Sequence, residues 1–455
     1  MRARAADLAC LAALLAALLA WPLHDPGIWS RGEAREGLVV RDIVANGSWV
    51  IARRDGALAS KPPFFHWIAA AAGEVVGPTD AVVRLPSALG AFAMLAATLV
   101  LGEAIGGRRV GLIGAAVLAS VAYFWRSAIE ARVDMVFAAA ITVFVAALYL
   151  RDRRGTLAPA IVGTLAVVAA SLTKGPAGAV LALGIAIAYL AAERRLGQLA
   201  ALWPWPLATA ALIAIGGWYV AAYRIAGREF LDVQLFHENV NRMVGLGAFG
   251  RHGSRSTHLP RAFAAHLLPW NLVLVWSARR WWRGEREDAA GHLLHAWWMV
   301  VVGFFALASR TRGVYLLPAY PAIALLVARA LAPVRARWLL PAVVVLSLVM
   351  IASEQRSRLG EARRDVLVPF ADRIAPRVAD AAHLVAAPTL LENDALVLRY
   401  RLARSIRREP MVCERDTLVI APAPSLHRAT ALGLRVVDAA GEGDRRIALL
   451  ECPPG

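Results

Sequence analysis

With 59% hydrophobic and only 18% charged positions among 455 residues, this chain departs from ordinary soluble domains, which sit nearer half apolar and a quarter charged. Its formal charge of +17 would suit nucleic acid, but the arginines lie in short clusters between apolar blocks, where topology signals belong. Nucleic-acid binding is set aside on that ground.

The apolar residues gather in blocks of roughly twenty, the length that crosses about 30 Å of hydrocarbon. The first runs from Leu8 to Leu23 behind Arg2 and Arg4. It is read as a retained helix rather than a cleaved signal, because it leads directly into a polar loop at 25–80. Further blocks fall near 82–104, 110–125, 133–150, 157–173, 176–192, 203–222, 262–277, 293–309, 314–333 and 337–352. The expected fold class is an all-α polytopic membrane domain over 1–352, with about eleven or more transmembrane helices.

With the N-terminus inside, the cytoplasmic loops carry Arg108–Arg109, Arg151–Arg153–Arg154, Arg194–Arg195, Arg279–Arg280–Arg283–Arg286 and Arg335–Arg337. Each has at least two arginines near a helix end, as the positive-inside rule asks. The other side then holds the loops 25–80 and 223–261, short turns at 126–132, Lys174 and 310–313, and everything from Ser353 onward.

Beyond Ser353, Leu384–Ala387, Ala395–Leu398, Thr417–Ala421, Leu434–Val437 and Ile447–Leu450 read as short strands, with helix around Gly360–Val378. The pattern predicts a small α/β domain over 353–455 on the outer side. It shows no metal-ligand spacing and no nucleophile motif. Cys10 lies in the first apolar block, whereas Cys413 and Cys452 lie in this tail. In an oxidising compartment the latter two could pair; two separate thiols fit the sequence equally well.

The first outer loop reads Trp29-Ser-Arg-Gly-Glu33-Ala-Arg35-Glu36, then Asn46-Gly-Ser-Trp49, then Ser60-Lys61-Pro-Pro-Phe-Phe-His66-Trp67. An acid, an arginine and a lysine at a membrane surface suit chemistry at a phosphate. The cations hold the anion through charge-assisted hydrogen bonds, and the carboxylate accepts a proton from an attacking hydroxyl. An interfacial helix with snorkelling arginines has the same composition. Further residues on the same side favour the functional reading. Glu130, Arg132 and Asp134 sit at the mouth of a span, where ionisable groups are expensive and their default reading is functional. Lys174 stands between two apolar blocks, and Gly175-Pro176 accounts for the turn but not for the lysine. His237-Glu238-Asn239, Arg242, Arg310, Arg312 and Tyr315 add polar groups from other segments.

The chain resembles the bacterial polytopic glycosyltransferases of the aminoarabinose-lipid A transferase and protein O-mannosyltransferase type, which share the GT-C fold. The resemblance covers residues 1–350 and rests on an ordered set. That set is Gly-Glu33-x-Arg35, Asn46-Gly-Ser-Trp49, Lys61-Pro62-Pro63, Arg132-x-Asp134, Lys174-Gly175-Pro176, His237-Glu238-Asn239-x-x-Arg242, Leu268-Pro269-Trp270 and Tyr315-Leu-Leu-Pro318-x-Tyr320-Pro321. It implies an inverting transferase of the bacterial inner membrane. The donor is a sugar on a polyprenyl phosphate, and the acceptor is lipid A or another glycan, lipid or protein at the periplasmic face.

Carried over by position, the resemblance makes Glu33 and Asp134 the catalytic acids and Arg35, Lys61 and Lys174 phosphate ligands. Arg132, His237, Glu238, Arg242, Arg310 and Tyr315 complete the expected lipid-phosphate and sugar site. Two departures stand out. Relatives usually carry an Asp-Glu pair where this chain has Gly32-Glu33, so which carboxylate is the base stays open. They also tend to place an acid before Lys-Pro-Pro, sometimes serving a metal; here it is Ser60, and no cofactor or obligatory metal is expected. The alternative reading is a multi-pass secondary transporter, which calls for broken or charged helices at mid-bilayer. A non-catalytic scaffold would leave the outward clustering of acids and cations without a cause.

Overall fold

The computed structural model describes residues 27–54, 56–241, 258–282, 287–307, 312–334 and 339–453. The first apolar block, with Cys10, lies outside them.

The segment 27–80 opens with helix α1 (Arg31–Asn46). Ser30 caps it by accepting from the Glu33 amide, and Gly47 ends it in the left-handed region at φ 63°. A two-residue hairpin, β1 (Arg53–Arg54) and β2 (Ala57–Leu58), leads to α2 (Phe64–Val76). The long helices follow: α3 (Asp80–Gly106), α4 (Arg108–Ala119), α5 (Ala122–Ile129), α6 (Val133–Arg154), α7 (Leu157–Lys174) and α8 (Ala177–Ala192). After the short α9 (Leu199–Leu202), α10 (Trp205–Phe230) bends at Gly227 and passes into a π-helical stretch, Leu231–Asn241. Helices α11 (His258–His266), α12 (Trp270–Trp282) and α13 (Ala289–Ala306) precede a 3₁₀ turn at Gly313–Ala319, then α14 (Tyr320–Leu331) and α15 (Leu339–Arg363).

Among the described residues six helical stretches are long and apolar enough to cross a membrane: 80–106, 133–154, 157–174, 205–237, 289–306 and 313–331. A seventh results if α4 and α5, bent by 71°, form one broken span. Several elements differ from the sequence reading. The block 110–125, expected as one span, breaks at Ser120. Its hydroxyl donates back to the Val117 carbonyl at 2.6 Å and accepts from Trp270 Nε1 at 2.6 Å, which satisfies the broken helix end. The block 262–277 is split between α11 and α12 around Leu267–Pro269, where proline cannot continue a helix. The second outer loop starts later than 223, because α10 and its π-helical extension run on to Asn241. The line drawn between 352 and 353 falls inside α15, which carries its helical hydrogen bonding through to Arg363.

Helices α3 to α8, α13 and α14 share one apolar core in which Phe137, Tyr189, Trp297 and Tyr320 are buried. The tail contributes a five-stranded sheet, order β4-β3-β5-β7-β6. Its strands are β3 (His383–Ala386), β4 (Arg407–Arg408), β5 (Thr417–Pro422), β6 (Arg435–Ala440) and β7 (Ile447–Glu451). Strand β3 pairs parallel with β4 and β5, and β7 pairs antiparallel with β5 and β6. Helices α16 (Leu367–Asp380), α17 (Glu392–Leu402) and α18 (Ala423–Ala431) cover it. Residues 395–398, expected as a strand, belong to α17. Acids in its first turn and arginines in its last match the helix dipole, and all four residues are buried. Cys413 and Cys452 form a disulfide across 39 residues of chain.

The tail packs on the segment 27–80 through α17 and α1. The Tyr400 ring lies under the Arg41 guanidinium, 3.9 Å from its centroid, and its hydroxyl donates to Asp80 at 2.6 Å. This approach requires glycine at 37, since a Cβ there would meet Tyr400 Cε2 at 2.4 Å. Gly37→Val is therefore expected to cost about 1–3 kcal/mol through overpacking. Thermal unfolding should show a lowered midpoint, and adding Tyr400→Ala should recover part of the loss. Additive losses would mean that the two residues do not press on one another.

Candidate functional site

Four side chains with almost no exposure meet where α1, α3, α15 and the 130–132 link converge: Glu33 and Arg84 at 0%, and Glu130 and Arg358 at 1%. Glu33 accepts from Arg84 Nε at 2.7 Å and Nη2 at 3.2 Å, from Arg358 Nη2 at 3.2 Å and from the Ala131 amide at 3.0 Å. Arg358 reaches on to Glu130 at 2.7 Å, and Glu130 also takes Arg132 Nε at 2.6 Å and Arg126 Nε at 3.2 Å. Arg126 extends the chain of charges to Glu361 at 2.9 Å and Glu354 at 3.5 Å on α15. The two buried carboxylates, Glu33 and Glu130, are thus each paired more than once, the condition under which buried charge is tolerated.

Burial alone would push the Glu33 carboxyl up. The Arg84 and Arg358 charges, the Arg84 hydrogen bond and the Ala131 amide outweigh it and hold the group down, from 4.5 to about 2. Beside it, Glu36 accepts from Arg35 Nη2 at 2.6 Å and bonds His66 Nε2 at 2.8 Å. Burial opposes that charge too, but Arg35 and His66 hold its carboxyl well below the usual range.

Asp134, in the first turn of α6, pairs with Lys174 at the end of α7. Both are partly open, with side-chain exposures of 16% and 11%. Arg132 and Lys61 add their positive field to the same carboxylate. The Lys174 ammonium lies 4.6 Å from the Tyr315 ring centroid, 5.0 Å from that of Phe137 and 5.3 Å from that of Phe305. Such a cage favours a cation through the negative faces of the rings. Lys61 is fixed through its backbone: Gln234 donates to the Lys61 carbonyl at 3.2 Å and to that of Ala59 at 2.6 Å. The π-helical stretch that carries Gln234 presents His237 at the surface.

At the rim, Arg31 is lowered by burial and then by the like charges of Arg312 and Arg35. Arg54 is lowered by burial and then by Arg35. Guanidiniums this crowded make an anion-attracting mouth.

The structure brings together Glu33 with Arg132 through Arg358 and Glu130, and Asp134 with Lys174 and Tyr315, with Lys61 acting on the second group. Two placements differ from the expectation. Glu33 is sealed and fully bonded, which is not the setting of a base that must meet an acceptor. Lys174 is engaged by Asp134 and three rings rather than turned out toward a phosphate. Arg242 and Arg310 lie outside the described residues, as does the side chain of Glu238. Sequence reasoning missed Arg84, Arg358 and the Glu36–His66 pair. Arg84 had a signal, being an arginine inside the apolar block 82–104; Arg358 had none, since it sits among tail arginines of ordinary appearance. Among the described residues no cluster of three metal-ligating side chains occurs.

The Glu33 site makes an acid-range prediction. Its pKa is lower in the folded chain than in the free state, so its stabilisation is complete above pH 4.5 and is lost as pH falls toward about 2. Glu33→Gln leaves two buried guanidiniums short of charge and is expected to lower stability at neutral pH by about 3–5 kcal/mol. It should also flatten the acid limb of a stability profile between those two pH values. An unchanged acid limb in thermal melts would refute the assignment.

Comparison with known proteins bears on the fold that carries these residues. Residues 60–219 match the family model described as dolichyl-phosphate-mannose-protein mannosyltransferase. The chain is 26% identical over 312 residues to the undecaprenyl phosphate-alpha-4-amino-4-deoxy-L-arabinose arabinosyl transferase 1 of Pseudomonas fluorescens, covering 67% of this chain and 54% of that relative. It thus spans about half the length of the curated relatives it matches. The crystal structure of ArnT from Cupriavidus metallidurans bound to undecaprenyl phosphate superposes with a TM-score of 0.79 at 17% identity, over 98% of both chains. The archaeal oligosaccharyltransferase AglB from Archaeoglobus fulgidus, in complex with an inhibitory peptide and a dolichol-phosphate, gives 0.56 at 12% identity, over 92% of this chain and 69% of that one. The likeness read from the sequence therefore holds at the level of fold: this chain shares the fold of ArnT from Cupriavidus metallidurans, and its residues 60–219 resemble the mannosyltransferase family model.

Proposed function

We propose that the chain is an inverting glycosyltransferase that moves a sugar from a polyprenyl-phosphate carrier to an envelope acceptor at the periplasmic face of a bacterial inner membrane. The acceptor class includes lipid A and other glycans, lipids or proteins. The observation that carries this reading is a partly open carboxylate, Asp134, paired with Lys174 and flanked by Lys61 and Arg132 at a cation-crowded mouth. Relatives named for undecaprenyl phosphate-linked arabinosyl transfer, and a fold neighbour that binds undecaprenyl phosphate, support the donor class. The transporter alternative draws no support from these likenesses.

On this reading the acceptor oxygen attacks the anomeric carbon as the bond from that carbon to the phosphate oxygen breaks. The hydroxyl proton passes to Asp134, and the electron pair leaves with the polyprenyl phosphate. Lys61, Arg35 and the rim arginines stabilise the charge that builds there. Glu33 holds the mouth in shape, and Lys174 orients Asp134. His237 and Tyr315 border the sugar. The membrane part would cross the bilayer about eleven times over 1–352, with the α/β unit at 353–455 outside; the disulfide suits an oxidising compartment.

Two measurements test the proposal. Transfer from a polyprenyl-phosphate pentose or hexose in vesicles is expected to fall about a hundredfold or more in Asp134→Asn, with the fold retained. Transfer that persists would remove Asp134 from the chemistry. For orientation, an impermeant maleimide applied to intact spheroplasts should label Cys413 and Cys452 only after an impermeant reductant. Labelling that first requires membrane rupture would place the tail inside.

A further inference from the structure

Helix α15 has two unlike faces, and only one is used by the ion network. Glu354, Arg358 and Glu361 turn inward to Arg126, Glu33 and Glu130. On the other face Val345, Leu348 and Val349 are each more than half exposed. That apolar stripe continues, at helical spacing, into a groove of about 310 Å³ lined by Ala352, Gln355, Arg356, Leu359, Gly360 and Arg363. Among the described residues neither Arg356 nor Arg363 has an ion pair, and both are exposed. Position 360 has open space, since an added Cβ would meet nothing within 4 Å.

An exposed apolar stripe calls for hydrocarbon, and two arginines at its end call for anions. The seven-residue offset between them sets their Cα atoms about 10 Å apart along the helix. Each guanidinium can take a phosphate through two parallel hydrogen bonds. A soluble anion would leave Val345, Leu348 and Val349 uncovered, and a neutral lipid would leave the arginines without counter-charge. We infer that this face of α15 is a docking site for a phosphate-bearing lipid of the bilayer, with acyl chain along Val345–Val349 and headgroup at Arg356 and Arg363. The inference stands apart from the transferase reading and concerns binding alone.

The test is native mass spectrometry of the full chain released from nonionic detergent. The probes are dioleoyl phosphatidylglycerol, dioleoyl phosphatidylcholine and inorganic phosphate. The native chain is expected to retain phosphatidylglycerol in preference to phosphatidylcholine. Arg356→Gln with Arg363→Gln should weaken that retention roughly tenfold or more, since each arginine near a membrane surface adds a comparable increment. Gly360→Trp, which fills the groove without changing charge, should weaken retention of both lipids. Substitution of two exposed tail arginines, Arg415→Gln with Arg428→Gln, should leave it unchanged. Equal retention by the groove variants and the tail control would overturn the inference. So would displacement of the lipid by inorganic phosphate at equal concentration, which would mark an ion site in place of a lipid site.

Discussion

The bridge from Glu33 through Arg358 to Glu130, with Arg84 clamped on the first carboxylate, is the interaction on which the site depends. Moving such ions out of water costs several kcal/mol each, and only close pairing with further hydrogen bonds offsets it. The arrangement is therefore cooperative. Removing one member strands the others, so α1, α3, the 130–132 link and α15 must all be seated together or not at all.

That constraint sorts the carboxylates by what they are able to do. Glu33, Glu36 and Glu130 are buried and bonded on both oxygens, so their charge is spent on position. Asp134 sits one helical turn from the same network, held by a single lysine and still partly open. Under the proposed reading a proton acceptor must be reached by its donor atom, so geometry ranks Asp134 above Glu33 before any question of acidity arises. Gly32 fits the same picture. The position where relatives usually carry an acid is empty of side chain, and a Cβ there would face Arg132 Nη1 at 3.8 Å. Without that acid, the guanidinium of Arg132 keeps its nearest charge partner in Glu130.

Much of this was legible in the sequence, for reasons that can be named. The long spans show as twenty-residue apolar blocks because hydrocarbon thickness imposes that length. Glu130, Arg132, Asp134 and Lys174 were legible because ionisable groups at a membrane mouth are too costly to be incidental. What was not legible depends on contacts between distant segments. The pairing of Arg358 with Glu33 spans 325 residues of chain, and no local pattern reports it. The break at Ser120 depends on the Trp270 indole, 150 residues on, and so reads as continuous apolar helix. The stretch 395–398 looked like a strand because four successive buried residues have no period, a case in which length and flanking charge must decide.

The coupling between tail and mouth follows from where Tyr400 stands. Its hydroxyl holds Asp80 at the start of α3, its backbone carbonyl accepts from Arg41, and its ring fills the notch at Gly37 on α1. Asp80 also accepts the Ile28 amide at 2.9 Å, which fixes the chain as it enters α1. Glu33 lies one turn before Gly37 on the same helix, and Arg84 lies one turn after Asp80 on α3. Both halves of the buried Glu33–Arg84 pair are therefore positioned from below by each other and from above by one tyrosine of the tail. A tail built only as a mobile cover would have no need of that contact. Its position makes the α/β unit a brace for α1.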